Sequence, residues 1–228
     1  MKQIVTQGIV LARTEFQEAD RILTVLTPTH GKMRFIAKGV RRPKSKLAGG
    51  IELFSVNELT FIEGRSDIKT LVSARMARHY GTIITDLQRT MLGYELLKRV
   101  SRLTEDTAGE EYYSVLDGAL AGLNEPLLHA ALVELWFMTR MLKISGRLPD
   151  IAQDADGNML ASDQQYNFDF EVMSFKPHDP GRYTANHIKL LRICLVSDDI
   201  LALARLRFTH DEPAQALALV REIDGWHS

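Results

Sequence analysis

The sequence predicts an α+β protein, with an N-terminal OB-fold-like β-barrel followed by an α-helical domain that carries an inserted β-hairpin. Three observations predict it. Residues 1–80 are filled by short runs rich in β-branched residues, with turn residues between them. From Gly81 onward apolar residues recur at helical spacing instead. Between about 148 and 178 the helix signals fade and strand-like alternation returns. The domains are therefore expected at 1–80 and 81–228, with the hairpin at about 148–178.

The first strand is expected from Ile4 to Arg13 and the second over Arg21–Thr27, closed by Pro28. Thr29-His30-Gly31 reads as a hairpin loop. In the third run, Lys32–Lys38, Met33, Phe35 and Ala37 form an apolar set, and a period of two puts Lys32, Arg34 and Lys38 on the opposite face. A fourth run covers Ile51–Ile62 and a fifth Ile68–Met76. Five short strands in about 80 residues suggest a small closed barrel, OB-like, with an SH3-like barrel as the rival.

Beyond the barrel, Ile84, Leu87, Met91, Tyr94, Leu97 and Leu103 recur at helical spacing in a segment ending near Leu103. Thr107–Glu110 has capping-box form and opens a second helix to about Leu123. Asn124 is expected to cap a third, with Pro126 in its first turn, running to about Ile144 and stopped by Gly146. That helix is apolar nearly all round, so it belongs at the centre of its domain, with His129 packed on it. Asp156-Gly157 is a hairpin-type turn, and Tyr166 to Val172 alternates as a half-buried strand. Three closing helices are expected over Thr184–Val196, Asp198–Phe208 and Thr209–Trp226. The last opens on a capping box, Thr209–Glu212, with Pro213 just inside.

The formal net charge is −1 over 228 residues, yet residues 1–80 hold 14 Lys and Arg against 7 Asp and Glu. A basic part beside an acidic part suggests that one part meets a polyanion. The charge concentrates in Lys38-Gly39-Val40-Arg41-Arg42-Pro43-Lys44-Ser45-Lys46, with five cations in nine residues and no acid. Like charges this dense repel one another, and Gly39 and Pro43 mark an exposed loop. An anionic ligand relieves the repulsion, and Lys32 and Arg34 extend the patch. Aromatic supply is thin: Phe35 and Phe54 read as core, and Phe16 is the one ring expected at the surface. Binding driven by backbone phosphates, with little base readout, is the expectation. The alternative is a protein adaptor whose basic loop meets an acidic partner.

Signals of catalysis are lacking. There is no Walker loop, no His-Glu-x-x-His motif and no Gly-x-Ser-x-Gly elbow. Asp154–Asn158 has its glycine at the wrong offset for a calcium loop. Asp198-Asp199 would suit Mg²⁺ in a nuclease, but paired acids at a helix start are more often capping partners, and no third ligand is evident. His178 and His187 lack companion ligands at metal spacing. The single cysteine, Cys194, falls in an apolar helix and excludes an internal disulfide. Neither enzyme activity nor a metal or other cofactor is expected. No apolar run approaches the ~20 residues that span a bilayer, and a reducing, cytoplasmic setting is the simplest reading.

Arg21–Thr27, Gly31 and Ala37–Leu47 resemble the N-terminal domain of the RecO DNA repair family, and Glu15–Asp20 resembles its acidic first loop. The similarity extends loosely to Ile144–Pro149. The resemblance implies an OB-fold ahead of a helical domain, and binding of single- and double-stranded DNA through Lys38, Arg41, Arg42, Lys44 and Lys46. It implies strand annealing, and loading of recombinase with RecR onto strands coated by single-stranded-DNA-binding protein (SSB). Docking of the SSB C-terminal tail on the helical domain is also implied, near Arg140, Lys143 and Arg147. Many members carry a four-cysteine zinc site after a Gly-x-x-Pro segment. Residues 150–180 here contain no cysteine, so apolar packing is expected in its place.

Overall fold

The structure, a computed structural model, describes residues 2–64, 66–104, 109–209 and 211–225. They form two compact units, Met1–Asn124 and Glu125–Ser228. The division falls after Asn124 rather than near residue 80, because the first two helices pack on the barrel. Tyr80 Oη donates to Asp117 at 2.5 Å, and Thr82 N–H donates to Asn124 Oδ1 at 2.9 Å.

The first unit is built on β1 (Gln3–Phe16), β2 (Asp20–Thr27), β3 (Gly31–Ala37), β4 (Ser55–Ile62) and β5 (Ile68–His79), closed in the order β1-β2-β3-β5-β4. Every pairing is antiparallel except β3 with β5, parallel over Arg34–Ile36 and Ile68–Thr70. This is the OB-like arrangement and settles the choice of barrel. β1 serves both halves, pairing with β4 through Ile9 and with β2 from Ile9 onward, with a bulge between Val10 and Ala12. Gly8 allows this close approach, since a Cβ there would lie 2.4 Å from Val25 Cγ1. Val10, Leu23, Val25, Phe35, Leu59 and Phe61 fill the interior. The expected strand from Ile51 begins only at Ser55: Ala48–Gly50 is a 3-10 turn and Phe54 has φ 55. The Phe54 carbonyl turns instead to the Tyr80 N–H at 2.9 Å.

Helix α1 (Leu87–Leu103) starts at Asp86, whose carboxylate accepts from Arg89 N–H at 2.9 Å. Its buried face is Gly93, Leu96, Leu97 and Val100. Most of the apolar set that marked the helix in the sequence lies outside: Leu87 is 75% exposed and Met91 62%. The helix carries two apolar stripes, and Gly93 decides which one docks, because the Phe54 ring occupies the space of its missing side chain. A Cβ at Gly93 would sit 2.8 Å from Phe54 Cε1. Gly93→Ala is therefore expected to destabilise the first unit by about 1–3 kcal/mol through overpacking. Urea titration followed by circular dichroism checks this, and an unchanged midpoint would mean that the ring has room to move. Helix α2 (Glu110–Asn124) follows; the expected capping box at Thr107 lies outside the described residues.

In the second unit, α3 (Ala130–Ile144) is central and buried nearly all round. It starts later than expected. Asn124 ends α2, residues 125–128 form a turn tied by Leu128 N–H to Glu125 O, and Pro126 lies outside the helix. His129 is the exposed N-cap rather than a packed residue. The helix stops as expected: Gly146 has φ 69, with Gly146 N–H donating to Lys143 O and Arg147 N–H to Leu142 O, the Schellman arrangement. Glu134, buried on α3, accepts from Arg221 Nε at 2.9 Å.

A three-stranded sheet follows, ordered β7-β6-β8, from β6 (Gln165–Asp169), β7 (Ser174–Pro177) and β8 (Tyr183–Thr184). The strand expected to reach Val172 stops at Asp169, whose carboxylate accepts from Glu171 N–H at 2.8 Å and turns the chain. Helix α4 (Ala185–Val196) starts at Thr184 as expected, with His187 Nδ1 accepting from Thr184 N–H in a capping box. The helix expected over Asp198–Phe208 is only a 3-10 segment, Ile200–Arg205. Helix α5 (Glu212–Asp224) has Pro213 in its first turn. The helix starts later than the expected Thr209 capping box: Asp211 is its N-cap, and only the Glu212 half of the box is present, Glu212 Oε2 accepting from Thr209 N–H at 2.9 Å; His210 and Trp226 lie outside the described residues.

Candidate nucleic-acid interface

The basic segment leaves β3 at Lys38 and is held at both ends. Val40, Leu47 and Ile51 pack into the barrel core. Gly39, at φ 64, donates its N–H to Asp20 Oδ1 at 2.7 Å. Arg41 N–H donates to Ala19 O at 3.0 Å. Two internal turns follow, Arg42 N–H to Gly39 O and Ser45 N–H to Arg42 O. An expected solvated loop is thus a seated one, resting on the β1–β2 hairpin.

The seven candidate cations separate into two groups. Lys38, Arg42, Lys44 and Lys46 are exposed, as is Arg34 on the outer face of β3 beside the β3–β5 seam. None of these five side chains has a hydrogen-bond or ion-pair partner among the described residues. Two others are committed to the fold. Lys32 Nζ donates to Ser101 O at 3.0 Å and to Thr104 O, capping the C-terminal end of α1 where the helix dipole favours a cation. Arg41 reaches Glu15 Oε2 and Glu18 O, both at 3.3 Å.

The arrangement presents positive charge on an anchored loop and on the adjoining strand β3, with few rings beside it. Phe35 and Phe54 are core residues as expected, and Phe16, 38% exposed, is the ring at the surface of the β1–β2 hairpin. Cations without stacking rings are the chemistry that suits a polyanion read by charge rather than by base.

The cations expected on the helical domain also divide. Arg140 lies 5.2 Å over the Trp136 ring, donates to Ser197 O at 2.7 Å and pairs with Asp198 at 2.7 Å. Arg147 pairs with Asp224. Lys143 is exposed and without a partner among the described residues.

Elsewhere the polar groups serve the fold. Asp199 accepts from Leu201 N–H at 2.9 Å, so both acids of the Asp198-Asp199 pair are engaged as cap or partner. Asp154 accepts from the N–H groups of Asp156 and Asn158, both at 2.9 Å, closing its own turn. Cys194 is buried, and burial pushes its thiol up to about 12, which leaves it protonated and inert. Among the described residues no group of three His, Cys, Asp or Glu is placed to hold a metal ion, and no helix is long and apolar enough to cross a membrane.

A family model described as recombination protein O N terminal matches residues 1–80, the span of the five barrel strands. The chain is 35% identical over 144 residues to a DNA repair protein RecO of Moorella thermoacetica, covering 63% of this chain and 53% of that one. It is 35% identical over 161 residues to the DNA repair protein RecO of Streptomyces coelicolor, covering 67% and 64%. With that of Bifidobacterium adolescentis it shares 34% over 145 residues, covering 63% and 59%. The chain thus spans between half and two thirds of the length of these curated relatives. The chain is similar to the RecO proteins over the whole barrel, and the similarity runs on into the helices that follow it.

Proposed function

We propose that the chain is a non-catalytic DNA-binding mediator of recombination in DNA repair. The observation that carries the reading is the set of five exposed cations, Arg34, Lys38, Arg42, Lys44 and Lys46, which have no side-chain partner among the described residues, on an OB-like barrel. Phosphates on one strand repel those on another, and cations shared between them lower that repulsion, which is what annealing of complementary strands requires. The names of the similar proteins support a place in DNA repair. Loading of recombinase with RecR onto strands coated by SSB belongs to the same reading. Of the three helical-unit cations, Lys143 is the one open to the acidic tail of SSB.

Five phosphate contacts on a single strand predict that log affinity falls with log salt at a slope near −3.5. A fluorescein-labelled oligodeoxythymidylate titrated at several salt concentrations measures it, and mixed-sequence strands should bind alike. A slope near zero, or no binding at moderate salt, rejects DNA as the ligand and leaves an acidic protein partner as the occupant of the loop.

A further inference from the structure

We propose that Asp20 and Glu15 are positioning residues for DNA binding, although their charge has the same sign as the ligand's. The inference rests on the reading of the basic loop as the DNA site. Five cations in nine residues repel one another, and a free segment of that kind would spread over many conformers. Here three successive residues are pinned. Gly39 N–H is held by the Asp20 carboxylate at 2.7 Å, Val40 is buried in the barrel core, and Arg41 is held by Glu15 at 3.3 Å and by two carbonyls of the hairpin. Glu15 also faces Arg21 at 3.8 Å, so it is flanked by two arginines and its charge is largely met. The two carboxylates are thus occupied in fixing the loop. What remains for the ligand is the outward set, Lys38, Arg42, Lys44 and Lys46, already arranged before binding.

Charge alone and positioning make opposite predictions of sign. If the acids merely repel DNA, their removal strengthens binding. If they position the loop, Asp20→Ala weakens binding, because the Gly39 N–H loses its acceptor. Asp20→Asn keeps an acceptor oxygen and loses the charge.

The test measures binding of the labelled oligodeoxythymidylate to the full chain and its variants across salt. Asp20→Ala is expected to bind on the order of tenfold more weakly, with a shallower salt slope because fewer cations engage together. Asp20→Asn is expected to bind at least as tightly as the parent. Glu15→Ala, at a more exposed position that the fold tolerates, is expected to bind about threefold more weakly. Equal or tighter binding by Asp20→Ala or by Glu15→Ala overturns the proposal, as does an Asp20→Asn variant that falls with the alanine one. Should Asp20→Ala fail to fold, Asp20→Asn and Glu15→Ala decide. A parent protein that does not bind, or one whose binding survives reversal of Arg42, Lys44 and Lys46, sinks the DNA site itself. Loss on that reversal without loss at Asp20 or Glu15 sinks only the positioning role.

Discussion

Replacing Arg42, Lys44 and Lys46 together by glutamate is expected to weaken single-strand binding on the order of 10³-fold at ~0.15 M salt. Each charge that stops neutralising a phosphate forfeits about 0.7 of the salt slope, worth about fourfold at that salt, and each reversal counts twice. The loss should be the same for every strand sequence, because phosphates are common to all of them. Arg41 is left out of the set on structural grounds. A glutamate there would face Glu15 and unseat the loop from the hairpin, so its effect would mix charge with position. The reversed side chains are exposed and unpartnered among the described residues, so the unfolding midpoint should stay within about 0.5 kcal/mol of the parent's. A folded triple variant whose affinity drops less than about tenfold would move the DNA contacts off this loop.

Phe175→Ala is expected to destabilise the second unit by about 4 kcal/mol. Phe175 is fully buried and stands at the centre of a ring cluster, with Phe168 at 5.2 Å, Tyr183 at 6.0 Å and Tyr166 at 6.2 Å between centroids. Its carbonyl also accepts from Ala155 N–H at 2.8 Å, which fastens the preceding turn to β7. Removing the ring costs its transfer free energy and leaves a cavity that three other rings cannot close without moving. Phe175→Leu keeps most of the volume and should cost under about 2 kcal/mol. Urea unfolding followed by Trp136 emission reads the right unit, because that side chain is buried on α3. A chelator should leave the parent's midpoint unmoved, since apolar packing occupies the segment where cysteines are absent. A cost below about 1 kcal/mol for the alanine variant would mean that something other than the rings holds this segment.

The parts of the fold that follow from local chemistry were legible in the sequence. The five barrel strands are separated by their own turn residues, and α3 announces its central place by being apolar on every side. What was not legible depended on contacts between distant residues. The apolar stripe of α1 is visible, but Gly93 and the Phe54 ring, 39 positions apart, determine that the other stripe is covered. The candidate cations look alike in the sequence. Lys32 is taken by carbonyls 69 and 72 positions away, and Arg140 by a carbonyl 57 positions away. Arg41 is paired with Glu15, which no periodicity links to it. The one local sign was the spacing of the free set: Lys38, Arg42, Lys44 and Lys46 lie near a glycine and a proline, where turns leave side chains pointing to solvent.

The chain between Val40 and Ile51 has two duties at once. Val40, Leu47 and Ile51 are part of the barrel interior, and Gly50 lies so close to β5 that a Cβ would sit 2.3 Å from the Ala74 carbonyl carbon. Surface loops ordinarily absorb insertions and deletions with little harm. This one has tolerance only in the short stretch from Arg42 to Lys46, and a change of length on either side drags an anchor out of the cylinder. A change of side chain at the exposed cations therefore leaves the anchors in place, whereas a change of length between them and the anchors does not.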